Sequence, residues 1–386
     1  MDFNFTKEQQ MLKDMIYKFT DNEVRPQQLI WDKEPGYPDK NWMKTYAELG
    51  LLGLAWPEKY GGQGLSYLES VLVMEAIARV SPLASHPIFE ANHGPIATIF
   101  YYGTEEQREK WIPPVCSGDI IMSVSMTEPD AGSALTDLTT KAVLDGNEYV
   151  INGQKRFCTG AGHSEAYLVY VRLTDDKGAK GIGAIVVEKG TPGLSFGPNE
   201  TFMGWRGFPS GDVIFEDCRV PKENLIVPAG GFSKLMTSFN VERLGNTTMS
   251  VAICEGALEE AIKYSQERKA FGKQIVEFQA IQLQLAEMAL RTQAAQLLLY
   301  RNAVDASQGT LTVLNSSIGK CFANESAKIV TDMAVNIFGG YGFSTEYPVE
   351  RMHRDAVGWA IAGGTPQMQK INIAASLVGR RFNHRK

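Results

Sequence analysis

Residues 231–250 read Gly-Phe-Ser-Lys-Leu-Met-Thr-Ser-Phe-Asn-Val-Glu-Arg-Leu-Gly-Asn-Thr-Thr-Met-Ser, and they separate two parts of the chain with different patterns. The stretch is apolar and compatible with a helix, and it carries one acidic residue, Glu242, beside Arg243. The pattern after it is that of long helices, whereas the segment before it is mostly strand and turn. A Glu-Arg pair on a helix is most often a surface ion pair, so a chemical role for Glu242 has to be argued from the rest of the chain.

The composition is that of an ordinary globular protein, with 386 residues, 44% hydrophobic residues and a net charge of −6. The charge balance and the lack of a basic block argue against nucleic acid or an anionic membrane surface as the main partner. Five cysteines and five histidines stand apart, without the spacing of a disulfide framework or a metal site. The N-terminus does not resemble a signal peptide, and no apolar run reaches membrane-spanning length. We therefore expect no membrane span and a cytoplasmic setting.

The first part of the chain has helical periodicity. Thr6 and Gln9 fit a capping box, which predicts that a helix begins near Thr6. Further helices are predicted over four segments, which are 41–53, 65–80, 87–101 and 104–111. We expect Pro113-Pro114 to end this helical part, since proline cannot donate the hydrogen bond that continues a helix. The predicted N-terminal all-α domain covers residues 1–118.

The period then changes to that of short strands. A strand is expected near 120–124, and residues 142–151 are predicted to form a hairpin with an Asp145-Gly146 turn. Three more strands are predicted over 166–172, 182–188 and 213–220. Six or more strands without intervening helices favour an antiparallel barrel or sandwich, which we expect to form a middle β domain over residues 119–229.

Apolar residues return to helical spacing after residue 230. From Ile281 to Leu299 and from Leu311 to Cys321 they recur every three or four residues, which is typical of the buried stripes of packed helices. We expect a C-terminal four-helix bundle over residues 230–386. The predicted fold class is thus α+β with three domains, in the order helices, strands, helices. Most of the stripe residues are expected to be plain core.

The familiar nucleotide-binding motifs are absent from the sequence, which has neither a Rossmann glycine fingerprint nor a P-loop. The run Gly339-Gly340-Tyr341-Gly342 follows a predicted helix. Such a run serves equally well as a helix stop or as bare backbone that a cofactor approaches closely. The residues alone leave these two interpretations open.

Four motifs in order resemble the acyl-CoA dehydrogenase family. The first is Met126-Thr127-Glu128-Pro129-Asp130-Ala131-Gly132-Ser133, and the second is Arg268-Lys269-Ala270-Phe271-Gly272-Lys273 followed by Phe278-Gln279. The third and fourth are Phe338-Gly339-Gly340-Tyr341-Gly342-Phe343 and Arg351-Met352-His353-Arg354-Asp355. The resemblance extends over essentially the whole chain. It implies an FAD enzyme, usually a homotetramer, that oxidises an acyl-CoA between Cα and Cβ and passes electrons to an electron-transfer flavoprotein.

The resemblance also implies which residues hold the cofactor. Phe157-Cys158-Thr159 is similar to the family's Trp-x-Thr, in which the ring stacks on the flavin, and here Phe157 replaces the tryptophan. Asn336 stands where the family usually has glutamine. Ser133 is implied to contact a flavin phosphate or the CoA arm. The implied FAD-binding residues are Met126, Thr127, Ser133, Phe157, Thr159, Arg268, Phe271, Gln279, Asn336, Gly339, Gly340, Thr365 and Gln367. Part of this set is expected to serve FAD across a subunit interface.

The catalytic base departs from the majority of the family. Most members have Glu-Gly-Thr near the C-terminus, whereas this chain has Gly363-Gly364-Thr365, and glycine cannot accept a proton. A minority branch, which includes isovaleryl-CoA and long-chain acyl-CoA dehydrogenases, places the glutamate on the helix that opens the bundle, just before an arginine. Val241-Glu242-Arg243 is similar to that arrangement. The resemblance therefore implies that Glu242 is the base.

The mechanism that the resemblance implies uses Gly363 and Glu242 together. The thioester carbonyl is held by a flavin ribityl hydroxyl and the backbone N–H of Gly363, Glu242 removes the α-proton, and a hydride passes from Cβ to flavin N5. Arg243 is expected to contact CoA or to be structural, and Glu90 to line the floor of the acyl pocket or to act as a second acid. Gly363 leaves room for a branched or cyclic acyl group. The segment around His86 lacks the arginine of the glutaryl-type branch, which makes a dicarboxylic substrate less favoured.

Two other functions remain open on the sequence. The same residues serve an enoyl-CoA reductase that runs the reaction in reverse. Because Gly363 cannot act as a base, the sequence also leaves open a second alternative. The chain would then be a flavin-binding relative without dehydrogenase activity, either a non-redox lyase or a structural subunit. Glu242 argues against this last alternative.

Overall fold

The structure is a computed structural model that describes residues 4–33, 39–380 and 382. Its first part is helical, as predicted. The helices are α1 (Lys7–Phe19), α2 (Gln28–Lys33), α3 (Lys40–Glu48), α4 (Tyr67–Ala78), α5 (Pro82–His93), α6 (Pro95–Tyr102) and α7 (Glu105–Cys116). A short π-helical turn, Thr20–Val24, continues α1. Thr6 caps α1 in the predicted capping box with Gln9.

Three of the predicted helix limits were wrong. The helix predicted over 41–53 ends earlier, because α3 stops at Glu48. The segment predicted as one helix over 87–101 forms two, α5 and α6, which meet at Gly94, and α5 begins at Pro82 with Ser81 as its cap. The expected stop at Pro113-Pro114 is also incorrect, since α7 continues through both prolines to Cys116. The two prolines lie in the last turns of α7, and the Pro113 carbonyl still accepts from the N–H of Ser117 at 2.9 Å, so the helix continues past them.

The middle part forms one eight-stranded sheet. Its strands are β1 (Met122–Ser125), β2 (Lys141–Asp145), β3 (Glu148–Thr159), β4 (Ala166–Arg172), β5 (Ile182–Glu188), β6 (Leu194–Phe196), β7 (Ser210–Pro221) and β8 (Leu225–Val227). The order is β6-β7-β3-β2-β4-β5-β8, with β1 paired to β4. Most pairs are antiparallel, but β1 and β2 both run parallel to β4. In the predicted hairpin, Asp145 pairs with Glu148, so Gly146 and Asn147 form the turn itself.

Strand β4 is buried on both of its faces and joins two cores. Leu168 and Tyr170 pack into the main core shared with the helices. Tyr167, Val169 and Val171 pack into a second core inside the sheet domain. Because successive side chains of a strand point to opposite faces, this alternation places Tyr170 on the side of the helical domains.

The last part of the chain is a helical bundle. It consists of α8 (Phe232–Glu267), α9 (Gln279–Ser307), α10 (Val313–Phe338), α11 (Pro348–Ile361) and α12 (Pro366–Leu377). A two-stranded hairpin, β9 (Lys269–Ala270) and β10 (Lys273–Gln274), links α8 to α9. Among the described residues, no helix combines the length and apolar character needed to cross a lipid bilayer. The predicted fold class, with helical, sheet and bundle domains in that order, is confirmed.

Helix α8 lies against the N-terminal helices at two glycines. A Cβ at Gly245 would come within 2.2 Å of the Phe89 ring on α5, and a Cβ at Gly256 would come within 2.0 Å of the Arg79 carbonyl oxygen at the end of α4. Any side chain at these positions would collide with its neighbour. The two contacts fix how α8, and with it Glu242, faces the N-terminal helices.

Candidate active site

Glu242 lies in the third turn of α8, where the bundle meets the N-terminal helices and the sheet. Its side chain is only partly accessible, and among the described residues its carboxyl forms neither a hydrogen bond nor an ion pair. Burial raises the pKa of this carboxyl well above its usual range, and the nearby Glu90 raises it further, while Arg243 and Lys320 oppose the shift. Burial raises the pKa of the Tyr170 phenol on β4, and the nearby Glu242 raises it further, while Arg243 opposes the shift. A carboxyl in such a setting is suited to accept a proton.

Helix α5 presents one face to α8 beside Glu242. The His93 ring contacts the carbonyl oxygen of Val241 through Nδ1 at 3.3 Å and the Ser70 hydroxyl through Nε2 at 2.8 Å. Burial lowers the pKa of His93 to about 4, so the ring is neutral at physiological pH. A neutral ring that donates from Nδ1 to the carbonyl then accepts from Ser70. The contact between the His93 ring and the Val241 carbonyl oxygen holds in place the residue that precedes Glu242.

Glu90 and His86 lie together on the same face of α5. Their side chains are 3.3 Å apart, from His86 Nε2 to Glu90 Oε1, and both are buried. The second carboxylate oxygen of Glu90 is buried without a hydrogen-bond partner among the described residues. Aromatic rings surround the pair, with Phe208 at 4.8 Å from the His86 ring centre and Phe89 edge-on to Trp359 at 6.2 Å. This end of the site is therefore polar at Glu90 and otherwise aromatic.

Arg243 is almost fully buried and binds within its own helix. Its Nη1 donates to Asn240 Oδ1 at 2.8 Å, and the guanidinium lies 5.1 Å from the centre of the Phe239 ring. Its Nε has no partner among the described residues. Burial lowers the pKa of this guanidinium from a very high ordinary value, so the group remains a cation. The arginine is held as a fixed positive charge beside Glu242.

The loop after α11 contains Gly363 and Gly364, both in the left-handed region with φ of 66° and 91°. A Cβ at Gly363 would lie 3.3 Å from Lys320 Cε, 3.7 Å from Asn246 Nδ2 and 3.9 Å from Phe239 Cζ. The space beside Gly363 is therefore bordered by a lysine, an amide and a ring. A glutamate at this position would combine an unfavourable backbone angle with a close neighbour.

Lys320 was not predicted as part of the site, although it is fully buried there. Its Nζ donates to Asn324 Oδ1 at 3.1 Å and to the Gly364 carbonyl oxygen at 3.0 Å. Burial and the neighbouring Arg243 lower the pKa of the Lys320 ammonium to about 7, while Glu242 works against the shift. The sequence signal was a lone lysine within the small and apolar stretch 316–323 of a buried helix.

Four of the predicted FAD-binding residues come together where β1 ends against β3. The Arg156 N–H donates to the Thr127 carbonyl at 2.8 Å, and Lys155 Nζ donates to the Met126 carbonyl at 3.2 Å. Phe157 sits at a bulge in β3 with a φ of 56°, and its ring is 52% exposed. Thr159 follows on the same strand. A bulky residue in the left-handed region with an exposed ring is strained, and such strain is typical of functional sites.

Five further predicted residues gather around the β9-β10 hairpin. Phe271 is 95% exposed at the hairpin tip and packs edge-on to Phe278, which precedes Gln279. The Arg268 guanidinium lies 5.4 Å from the centre of the Tyr341 ring, beside Gly339 and Gly340. Gly339 has φ 60° and ψ −132°, a conformation that essentially only glycine adopts. In the described part of the chain, no neighbouring atom lies within 4 Å of a Cβ built on either glycine, so their backbone is open to an approaching group.

The remaining predicted residues are more scattered. Ser133 is exposed in a turn after β1. Asn336 is exposed near the end of α10, where its side-chain amide donates to the Asp332 carbonyl at 2.9 Å. Thr365 caps α12 and, together with Gln367, lines a cavity of about 150 Å³ next to α10 and α11. No single contact in the described part of the chain unites these residues with the other two groups.

These residues fit an FAD molecule. An exposed ring on a strained bulge provides a flat surface for an isoalloxazine. An exposed arginine beside open glycine backbone provides donors for a pyrophosphate. The β9-β10 hairpin carries the almost fully exposed Phe271, whose ring offers an apolar surface to a bound molecule. Each of the two groups of residues is therefore chemically suited to hold one part of a flavin dinucleotide.

Comparison with known proteins gives the family. The family models for the acyl-CoA dehydrogenase N-terminal, middle and C-terminal domains match residues 6–119, 123–218 and 229–378. The chain is 39% identical to acryloyl-CoA reductase (NADH) of Anaerotignum propionicum, over 98% of this chain and 97% of the relative. It is 36% identical to the caffeyl-CoA reductase-Etf complex subunit CarC of Acetobacterium woodii, over 97% and 99%. The structure of butyryl-CoA dehydrogenase from Megasphaera elsdenii superposes with a TM-score of 0.94 at 34% identity, over 98% of this chain and 100% of that one.

The chain belongs to the acyl-CoA dehydrogenase family. It is an FAD-dependent oxidoreductase that acts on the CH–CH bond of an acyl-CoA, as the resemblance of its motifs implied.

Proposed function

We propose that this enzyme removes the α-proton of an acyl-CoA with Glu242 while the thioester carbonyl is held by the backbone N–H of Gly363. The observation that carries the proposal is the largely enclosed carboxyl of Glu242, which has no ion-pair partner among the described residues. It lies near enough to Lys320, which binds the Gly363–Gly364 loop, for each to shift the pKa of the other. When bound, FAD supplies the acceptor for the hydride that leaves Cβ. The buried surroundings exclude water from the reacting carbons.

The proposed FAD-binding residues are the two groups described above, with Ser133, Asn336, Thr365 and Gln367. Met126, Thr127, Phe157 and Thr159 are assigned to the isoalloxazine. Arg268, Phe271, Gln279 and the Gly339-Gly340 backbone are assigned to the AMP half. Glu90 and Arg243 are proposed to contact substrate, Glu90 at the acyl end and Arg243 on the CoA side. The domains are proposed to divide after residues 118 and 229.

Glu242 should control the pH dependence of the reaction. The rate of flavin reduction by saturating acyl-CoA is expected to rise with pH, since only the ionised carboxylate accepts a proton. The rise should be centred well above the ordinary glutamate pKa of 4.5, because burial and Glu90 raise the pKa of Glu242. Stopped-flow measurement from about pH 5 to about pH 9 tests this expectation.

The Glu90→Gln variant supplies the matched control for that profile. Removing the neighbouring carboxylate should lower the pKa of Glu242 and move the rise to lower pH. A profile in Glu90→Gln that coincides with the wild-type profile would contradict the proposed coupling.

The acyl group is proposed to be branched or cyclic, as the sequence suggested. Phe89 fits against Gly245 and Trp359 closes the aromatic end, so a compact group fits this end better than a long straight chain. A panel of CoA thioesters with flavin bleaching as the readout identifies the preferred group. Fast bleaching by long straight-chain acyl-CoA alone would contradict this part of the proposal.

The reverse reaction is the second candidate. One relative described above is named as an acryloyl-CoA reductase and another as a subunit of a caffeyl-CoA reductase-Etf complex, and the proposed residues serve both directions. Turnover of an enoyl-CoA with a reduced electron donor, in a preparation that acyl-CoA does not bleach, would favour the reductase. An electron-transfer flavoprotein is the proposed electron partner in either direction, and the cytoplasm is the proposed location.

The proposed assembly is a homotetramer in which α9 contributes to an interface with other copies of the chain. Leu283, Leu290 and Leu297 follow each other at intervals of seven residues, so they lie on one face of the helix. Each of the three is more than half exposed in the single chain. A row of exposed leucines of this kind is typical of helices that pair with another helix.

Leu290→Glu is expected to weaken this assembly, because it places a charge in the middle of an apolar interface. Light scattering after size exclusion should show the mass falling from four chains toward fewer. Gln63→Glu, on an exposed loop of the N-terminal part, should leave the mass unchanged. A Leu290→Glu protein of wild-type mass would show that α9 does not form the interface.

A further inference from the structure

The proposed base and the proposed carbonyl-binding group lie on different segments of this chain. Glu242 is on α8, and the Gly363 N–H is in the loop between α11 and α12. A family member with glutamate at position 363 carries both groups on the same loop. Here the distance between the two groups depends on the contacts that connect α8 to the loop. A small change in that distance would slow the reaction substantially.

A chain of buried amides makes that connection. Asn246 lies one turn after Glu242 on α8, and its Nδ2 donates to the carbonyl oxygens of Trp359 at 3.2 Å and Ala362 at 3.3 Å. Asn324 of α10 donates from Nδ2 to Asn246 Oδ1 at 3.2 Å and to the Trp359 carbonyl at 3.0 Å. These amides tie α8 and α10 to the end of α11.

Lys320 completes the chain at the loop itself. Its ammonium bridges Asn324 Oδ1 at 3.1 Å and the Gly364 carbonyl at 3.0 Å. Gln369 of α12 donates to the same carbonyl at 2.8 Å. Lys320 Cε would be only 3.3 Å from a Cβ at Gly363, so the lysine stem also packs against the loop. The loop is thus held from α10 and α12 at one carbonyl group.

A lysine at position 320 is unfavourable for the stability of the folded protein. Its side chain is fully buried, and both of its hydrogen-bond acceptors are neutral. Burying a cation without an anionic partner is costly, whereas an apolar side chain of similar volume carries no such cost. The presence of an ammonium group at this position therefore favours a role in the active site over a role in fold stability.

We propose that Lys320, acting through Asn324 and Asn246, is a positioning residue that fixes the Gly363–Gly364 loop relative to Glu242. The inference rests on the proposed function, because it assumes that Glu242 and the Gly363 N–H act on the same thioester. Lys320 touches the loop, and its ammonium also contributes positive charge near the base. The charged and titratable groups around Glu242 are Glu90 from α5, Arg243 from α8, Lys320 from α10 and Tyr170 from β4.

The test compares Lys320→Met with Lys320→Gln. Methionine keeps an unbranched stem and removes both the donor and the charge, whereas glutamine keeps a neutral donor. Lys263→Met, at an exposed position of α8, is the matched control. Flavin reduction by acyl-CoA is followed by stopped flow, and FAD content and melting temperature are measured for every variant.

Lys320→Met is expected to lower the limiting rate of flavin reduction about a hundredfold, the size of effect that a displacement of about 1 Å has on a reacting geometry. The half-saturating acyl-CoA concentration should change much less. The rate should also rise at higher pH than in the wild type, because the Lys320 ammonium, which is charged below its pKa of about 7, no longer favours ionised Glu242. Lys320→Gln should recover part of the rate and keep the shifted profile.

A second readout follows the carbonyl without turnover. Pivaloyl-CoA labelled with ¹³C at the carbonyl has no α-proton and cannot react, so its infrared carbonyl stretch reports hydrogen bonding in the bound state. The stretch should move to higher frequency in Lys320→Met and stay at the wild-type value in Lys263→Met.

Three outcomes would overturn the proposal. The first is a wild-type rate and carbonyl frequency in Lys320→Met, and the second is a rate loss explained by lost FAD with an unchanged frequency. If Lys320→Met does not fold, the third is a Lys320→Gln protein with wild-type rate and pH profile. Glu242→Gln, measured in parallel, separates the two ideas. A slow Glu242→Gln beside a fast Lys320→Met removes only the positioning role, whereas a fast Glu242→Gln removes the proposed function.

Discussion

Glu242→Gln is expected to be reduced by acyl-CoA about 10⁴ times more slowly than the wild type, at the upper end of what a positioned base contributes. The amide has the size of the carboxylate but cannot accept a proton at neutral pH. A thioester α-proton is weakly acidic, so water is a poor substitute for the base. Stopped-flow flavin absorbance measures the rate, and the FAD content should be unchanged.

The same substitution is expected to stabilise the fold. The pKa of Glu242 is raised in the folded state, so ionisation is less favourable there than in the unfolded chain. The wild type therefore loses stability as the pH rises above the unfolded value of 4.5, up to its own folded pKa, and the glutamine variant does not. The difference in melting temperature should grow over that interval.

An exposed glutamate provides the control for these measurements. Glu109→Gln, on the surface of α7, should match the wild type in rate and in melting temperature. A Glu242→Gln protein that bleaches as fast as Glu109→Gln would mean that another group removes the proton.

Arg268→Met is expected to bind FAD about 10 to 100 times more weakly, which corresponds to the loss of one charge-assisted hydrogen-bonding group. The protein should be purified partly colourless, and its melting temperature should rise with added FAD, because a ligand that binds only the folded state stabilises it. Titration of the stripped protein with FAD measures the loss directly.

The same arginine tests whether the cofactor and the assembly are coupled. If FAD is shared between subunits, the Arg268→Met assembly from which FAD has been removed should dissociate into subunits readily. Wild-type protein that has been stripped of FAD and then reloaded with it should dissociate less readily. Arg219→Met, on β7, is the control, since its partners Asp145 and Glu148 are exposed acids that flank the turn between β2 and β3. Equal FAD affinity in the two variants would remove Arg268 from the cofactor site.

The strands were the best predicted part of the fold. The limits of β4 and β5 agree with the predicted segments 166–172 and 182–188, because both are unbroken apolar runs bounded by turn residues. The helix limits near Gly94 and Pro113 were missed. Whether proline or glycine ends a helix depends on which carbonyls and donors its neighbours leave unpaired, and local sequence does not contain that information.

The motifs predicted the general location of the cofactor groups, but the surroundings of Glu242 needed the fold. Lys320, Asn246 and Asn324 belong to no motif, and their roles depend on which loop packs against α10. The proximity of Lys320 to Gly363 could not be predicted from the sequence, because the two residues are 43 positions apart along the chain. The sequence predicted room beside Gly363, and only the fold shows that Lys320, Asn246 and Phe239 border that space.

Gly245 and Gly256 limit how the enzyme can be adapted to new substrates. With the Phe89 ring and the Arg79 carbonyl resting on bare backbone, α8 has no space to slide or roll against α4 and α5. Because these close contacts oppose sliding of α8, we expect ligand entry to depend on loops and single side chains more than on movement of α8. Directed evolution of the acyl preference should find its productive changes at Phe89 and its ring neighbours, and variants that enlarge either glycine should disappear from any selected library.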